Sequence, residues 1–231
     1  MNILERHEVL EIEVLERLKN ARVLDKLVFG GGTMLRLCHE MKRFSADLDF
    51  WKLTEVPDKK LFERIHDLLS RYYDITDAQI KHYTILVEVR SSHFPKRLKI
   101  EVRREIKDVE FEEKIAFSPF TTRQVLVNAH TLGQALLNKI SAFLDRGEIR
   151  DAFDMEFILR QGVDLPELSK AQRQALLVQL EKFKPRDFKV TLGSVLEAEL
   201  RNYYVQHQFE FLKQKIRLNP LPEQQDTSYD P

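Results

Sequence analysis

The sequence predicts an α+β protein in two parts, a mixed sheet with flanking helices and then a helical lobe. Three observations carry this. An apolar run, Leu27-Val28-Phe29, enters a turn of glycines, Gly30-Gly31-Gly32-Thr33, after which Met34, Leu35, Leu37, Cys38 and Met41 recur at helical spacing. From Ile75 to Arg104 the period becomes two, as in half-buried strands. Beyond Thr131 only helical stripes remain. The expected organisation is a sheet lobe over residues 1–115, a helical lobe over 116–217 and a flexible tail over 218–231, with a cleft between the lobes.

Composition narrows the class. With 231 residues, 43% hydrophobic and 32% charged, the chain can bury one large core or two modest ones, which excludes a disordered protein. Its formal net charge of zero gives no global attraction to nucleic acid, so any basic face must be local. Cys38 is the one cysteine, which excludes an internal disulfide, and its place in an apolar helical stripe reads as a core thiol. No uninterrupted apolar run has membrane-spanning length and the charged N-terminus lacks the apolar centre of a signal peptide, so the expected location is cytoplasmic.

In chain order, residues 3–20 alternate apolar and charged groups with helical spacing, and His7 on that helix reads as a surface residue. Pro57 opens a helix whose stripe is Leu61, Phe62, Ile65, Leu68 and Leu69. Tyr83, Ile85, Val87 and Val89 share a face of one strand, and Leu98, Ile100 and Val102 share a face of the next, with Ser91 to Pro95 as the connection. Residues 109–131, broken by Pro119 and Thr121-Thr122, read as an irregular bridge. Gly147 ends one helix and Ala152 to Leu159 form the next. Residues 169–183 and 191–216 give two or three more. Lys182, Lys184, Arg186, Lys189, Arg201, Lys213, Lys215 and Arg217 leave the helical half locally basic, either as a solvated surface or as an RNA-binding face.

The chemistry concentrates in two places. Asp47-Leu48-Asp49-Phe50-Trp51 alternates polar and apolar, so on a strand both carboxylates point the same way, roughly 6–7 Å apart. Paired carboxylates suit Mg²⁺, which takes carboxylate, phosphate and water oxygens, and a glycine turn opening a helix suits the phosphates of a nucleoside triphosphate. Gly31, Gly32 and Thr33 are the candidates for that turn, Thr33 offering a hydroxyl. Arg43 can bind phosphate or pair with Asp47, and Ser45 stands beside it. The second place runs from Lys139 to Asp154. Lys139 and Arg146, seven residues apart, share a helical face about 10 Å apart, and Asp151 and Asp154 share a face of the next helix. A lysine there can neutralise triphosphate or pyrophosphate charge, while Arg146 and Arg150 orient the acidic pair or contact phosphate. The bland alternative is that these groups merely cross-link two helices.

Gly32-Thr33, then thirteen residues, then Asp47-Leu48-Asp49 resembles the first motif of the DNA polymerase β-like nucleotidyltransferases. The fuller string GGTMLRLCHEMKRFSADLDF is similar to the AbiEii/AbiGii-type toxin nucleotidyltransferases of toxin–antitoxin and abortive-infection systems. Lys139, Ala142, Arg146, Arg150-Asp151 and Asp154 resemble that family's second hallmark. The resemblance implies a nucleotidyltransferase-type sheet lobe, Asp47 and Asp49 as catalytic Mg²⁺ ligands, and Glu101 as a third acidic group. An exposed strand glutamate paired with Lys99 or Arg103 explains Glu101 equally well. It further implies an NTP substrate, transfer of a nucleoside monophosphate to an acceptor, the tRNA 3′ end foremost, and a separately encoded antitoxin as partner. Lys139 would steady the phosphates, Asp151 would position or deprotonate the acceptor, and Asp154 would support them or hold Arg150. A nucleotide-binding sensor on the same fold, or a transferase acting on a protein hydroxyl, are the competing readings.

Overall fold

The computed structural model describes residues 1–219; of the flexible tail expected over 218–231, Leu218 instead ends a helix and Asn219 is buried, its side chain accepting from the Leu168 amide, and the remainder lies outside the described residues. The chain forms two units, one comprising Met1–Ala135 with Val195–Glu197, the other Leu136–Ser194 with the chain from Ala198.

The first unit is built on a seven-stranded mixed sheet. Its strands are β1 (Leu27–Gly30), β2 (Asp47–Lys52), β3 (Asp74–Ile80), β4 (Thr84–Arg90), β5 (Leu98–Ile106), β6 (Phe111–Phe117) and β7 (Gln124–His130), in the spatial order β3-β4-β5-β2-β1-β7-β6. The period-two pattern appears from Ile85 on, whereas Tyr83, expected on the same face, lies just before β4 and is exposed. Ile85 pairs with Val102, Val87 with Ile100 and Val89 with Leu98, and all six are buried. Across β2, Leu48 lies beside Ile100 and Phe50 beside Val102, extending the same apolar face. The Phe29 and Phe50 rings stack there at 5.2 Å between centroids.

Three helices serve this sheet: α1 (Ile3–Asn20), α2 (Gly31–His39) and α3 (Asp58–Leu69). Asn2 starts α1 through a capping box, its side chain accepting from the Leu4 and Glu5 amides while Glu5 accepts from the Asn2 amide. Cys38, expected as a core thiol, lies half-buried towards the end of α2, and its partial burial pushes the thiol up to about 12.

Residues 109–131 differ from expectation. They form β6 and β7, an antiparallel pair, and β7 joins β1 in parallel through Phe29 and Ala129. The alternation was obscured because β6 lies at the sheet edge and leaves Phe111 and Ile115 exposed, with Leu126 opposite Ile115. Pro119 and the threonines belong to the connection between these two strands. The first unit therefore continues to Ala135, some way past the boundary at 115 read from the sequence.

The second unit is helical. It contains α4 (Leu132–Arg146, which begins in the first unit), α5 (Ile149–Arg160), α6 (Lys170–Glu181), a π-helical turn at Asp187–Leu192, α7 (Ala198–His207) and α8 (Glu210–Leu218). Gly147 ends α4 at a φ of +65°, and the Gln179 side chain donates to the Phe143 and Leu144 carbonyls that the helix end leaves open. An aromatic core joins Phe188 to Phe209 at 5.2 Å and Phe153 to Tyr204 at 5.0 Å. Buried Glu156 accepts from the Leu212 amide and so satisfies the start of α8. Among the described residues no helix is long and apolar enough to cross a membrane.

Candidate active site

Within the first unit, the glycine turn and the acidic strand meet. Gly30 pairs with Asp49 across β1 and β2, and α2 starts at the next residue. The N-cap residue, Gly30, supplies no side-chain cap to that helix start, and Gly32 and Thr33 just inside it are buried. Gly31 has a φ of +73°, a left-handed conformation that favours glycine, and a Cβ there would collide with the Asp49 carboxylate. A Cβ on Gly32 would collide with the Arg43 guanidinium and stand 3.0 Å from the Ser45 hydroxyl. Gly31, Gly32, Arg43, Ser45 and Asp49 are thus gathered around one turn, and the glycines are what make room.

Alternation on β2 is as the spacing requires: Asp47 and Asp49 are half-exposed, Leu48 and Phe50 buried. In-register neighbours on a sheet share a face. Asp49 pairs with Glu101 of β5, so Glu101 stands on the face of both aspartates, with Lys99 beside Asp47 and Arg103 beside Trp51. Arg103 lies over the Trp51 ring at 4.9 Å rather than against Glu101. Among the described residues, the Asp47 and Glu101 carboxylates make no ion pair.

Among the described residues no three His, Cys, Asp or Glu side chains stand close enough together to hold a metal ion between them. Three carboxylates on neighbouring and alternate strand positions start splayed by the strand spacing. Mg²⁺ needs one or two carboxylates, completing its octahedron with water and substrate phosphate. Asp47 and Asp49, half-exposed beside an anion-type helix start, therefore suit Mg²⁺ carried in with a triphosphate.

Thr33 has a different partner from the one expected. It is fully buried, and its hydroxyl donates to the Asp47 main-chain carbonyl at 2.6 Å instead of facing a phosphate. The hydroxyl ties the helix start to the acidic strand. Arg43 is also buried, its Nη1 donating to the Phe44 carbonyl at 2.9 Å.

His7 is not at the surface. It is fully buried and its Nε2 lies 3.1 Å from the Ala46 carbonyl and 3.5 Å from Glu11. Burial lowers the His7 pKa and, with the neighbouring Glu8 and Asp47 carboxylates, raises that of Glu11 well above its ordinary value. Glu8 accepts from Arg36 Nε at 2.8 Å, and Arg36 Nη1 donates to the Met41 carbonyl and, at 2.6 Å, to Glu197. The backbone of residues 42–44 is further bonded to Val195–Glu197, through Phe44 to Val195 and Glu197 to Lys42. A signal for these groups was present in the sequence, since positions 7, 8, 11, 15 and 18 fall on one helical stripe with the apolar core. His130 is a second buried group that went unnoticed. Its Nδ1 would stand 2.8 Å from a Cβ on Gly30, and burial first, with Arg103 adding to it, lowers its pKa to about 4.

The second unit brings together the other set. Lys139 reaches Asp151 at 3.1 Å and Asp154 at 2.7 Å. Arg146 grips Asp151 with two bonds, Nε to Oδ2 at 2.7 Å and Nη2 to Oδ1 at 2.9 Å. Burial by itself would raise the Asp151 pKa; the Arg146 and Lys139 cations outweigh it and hold the carboxyl below its usual range. Such a carboxylate is a weak proton acceptor, which tells against the general-base role and in favour of a holding role. Arg150 donates to Glu148 at 2.8 Å, so Asp154 is matched to Lys139 and not to Arg150.

Comparison with known proteins bears on the fold and the family. A solved Helicobacter pylori structure, described as a candidate nucleotidyltransferase, shares the fold with a TM-score of 0.56 and 19% identity, covering 90% of this chain and 96% of its own. JHP933 from Helicobacter pylori aligns with a TM-score of 0.54 and 18% identity, over 90% and 93%. No curated protein matches the chain. The model of the nucleotidyl transferase AbiEii toxin family, of the type IV toxin–antitoxin system, matches residues 13–227. With nearly the whole sequence covered, and with the glycine turn and paired aspartates inside the match, the chain belongs to the AbiEii nucleotidyl transferase toxin family.

Proposed function

We propose that this nucleotidyltransferase transfers a nucleoside monophosphate from an NTP to a hydroxyl at the 3′ end of tRNA, with Asp47 and Asp49 holding Mg²⁺. One observation carries the reading: two half-exposed aspartates and the in-register Glu101 share a sheet face, beside a glycine turn that opens an uncapped helix. When bound, Mg²⁺ would screen the triphosphate charge and favour in-line displacement. The acceptor oxygen forms a bond to the α-phosphorus as its proton passes to water, the bond from the α-phosphorus to the α–β bridging oxygen breaks, and pyrophosphate leaves. The amides of Gly32 and Thr33 orient the outer phosphates. Glu101 is a third ligand available to the same face. Arg43 and Ser45 shape the turn beside Gly32. Lys139 counters phosphate charge, with Asp151 and Asp154 holding its ammonium and Arg146 fixing Asp151.

The toxin family implies a cognate antitoxin, and a cytoplasmic site of action matches an NTP and tRNA reaction. The test is incubation of the purified chain with each labelled NTP, Mg²⁺ and total tRNA. Label should enter RNA with one or more nucleotides, and Asp49→Ala should abolish it. Labelling that survives the substitution contradicts the assigned site, and label entering protein but not RNA contradicts the acceptor.

A further inference from the structure

We infer that His7 of α1 is a positioning residue for Asp47, holding the backbone of this metal-binding aspartate through the Ala46 carbonyl; the inference rests on the metal site proposed above. A peptide bond is planar, so the conformation at Asp47 is set by the two planes flanking its Cα. The plane before it ends in the Ala46 carbonyl, which faces His7 Nε2 at 3.1 Å. The plane after it carries the Asp47 carbonyl, which accepts from the Thr33 hydroxyl at 2.6 Å. With both planes held, only the side-chain torsions of Asp47 remain to adjust to an ion. A carbonyl only accepts, so Nε2 carries the hydrogen, and Nδ1 has no hydrogen-bond partner among the described residues.

The surroundings favour this role over simple packing. His7 is fully buried on the stripe that also carries Leu10, Val14 and Leu18, a position where an aliphatic residue would pack but would leave the Ala46 carbonyl without this donor. Glu11 stands 3.5 Å from the same nitrogen, and Glu8 holds Arg36, which in turn holds the Met41 carbonyl. The segment from Met41 to Ala46 is thus fastened at both ends by side chains tied to α1. The helix that precedes the glycine turn in sequence serves as the mount for the strand that follows it.

The experiment is a Mn²⁺ titration of the full chain, read by electron paramagnetic resonance with a non-hydrolysable NTP analogue present. It compares wild type with His7→Leu, which keeps bulk and removes the donor, and with His7→Gln, whose amide nitrogen reaches the place of Nε2. Thermal unfolding checks that each variant is folded. The expected result is metal affinity weakened about 10-fold in His7→Leu and restored to near wild type in His7→Gln. A folded His7→Leu with wild-type affinity overturns the inference. If His7→Leu does not fold, His7→Asn, whose amide is too short to reach Ala46, replaces it, and equal affinity for the Asn and Gln variants overturns the inference. Asp49→Asn is the control: if it leaves Mn²⁺ affinity unchanged, the metal site itself is wrong and the inference falls with it. If Asp49→Asn weakens binding and His7→Leu does not, the inference alone fails.

Discussion

The glycine turn with its acidic strand and the ionic cluster of the second unit both collect charge, and they do so in opposite ways. In the cluster, Asp151 and Asp154 are 1% and 0% exposed and are matched to Lys139 and Arg146 within the same unit. On the sheet, Asp47 and Glu101 are half-exposed and without an ion pair among the described residues. Buried charge must be matched locally or the fold loses stability, whereas carboxylates kept apart at a surface retain their capacity for an incoming cation. In the second region the carboxylates are matched to cations of their own unit, Asp151 and Asp154 together orienting the Lys139 ammonium, whereas Asp47 and Glu101 meet no such cation among the described residues.

The largest expected effect sharpens that contrast. Asp47→Asn should lower nucleotide transfer by roughly 10³-fold, about 4 kcal/mol of transition-state stabilisation, while moving the thermal midpoint by no more than about 2 °C. Steady-state rates and calorimetry on one preparation check both halves. Lys139→Met should act on stability as well as activity. It removes the Lys139 cation from buried Asp154 and one of the two cations that hold Asp151, and should destabilise the second unit by about 3 kcal/mol, read by chemical denaturation followed through helix content. Unchanged stability in that variant would break the comparison.

A pH series tests the buried groups of the first unit. The folded protein protonates His130 only at about 4, whereas the unfolded chain does so near 6.5. Between those values the unfolded state binds more protons, so stability falls as pH falls through that window, by about 3 kcal/mol from this residue. His130→Gln should flatten the dependence between 6.5 and 4 relative to wild type. Asp151 titrates lower: its depressed pKa contributes stability above 3.8 that is lost only in more acid solution. The smallest effect belongs to Thr33→Val, which leaves the Asp47 carbonyl without its donor. It should cost about 1–2 kcal/mol in denaturant unfolding and loosen the acidic strand.

Much of the site was legible because it depends on spacing. Two residues on a strand share a face wherever the strand lies, so Asp47 and Asp49 could be paired from sequence, and seven residues on a helix bring Lys139 and Arg146 to one partner, Asp151. The aliphatic rows of β4 and β5 were readable for the same reason. What depends on tertiary approach was not. Thr33 looked like a phosphate donor until its buried position gave it the Asp47 carbonyl. His7 looked like a surface member of a charged helix because a polar residue on an apolar stripe is ordinarily discounted. An edge strand with exposed Phe111 and Ile115 loses the alternation that marks a strand, which hid β6.

The most direct measurement is a crystal structure of the protein with Mn²⁺ and a non-hydrolysable NTP, using the anomalous signal of the metal. The account predicts a Mn²⁺ peak coordinated by the Asp47 and Asp49 carboxylates, with the triphosphate against the amides of Gly32 and Thr33. A peak held by other residues, or a nucleotide bound away from the glycine turn, would contradict it.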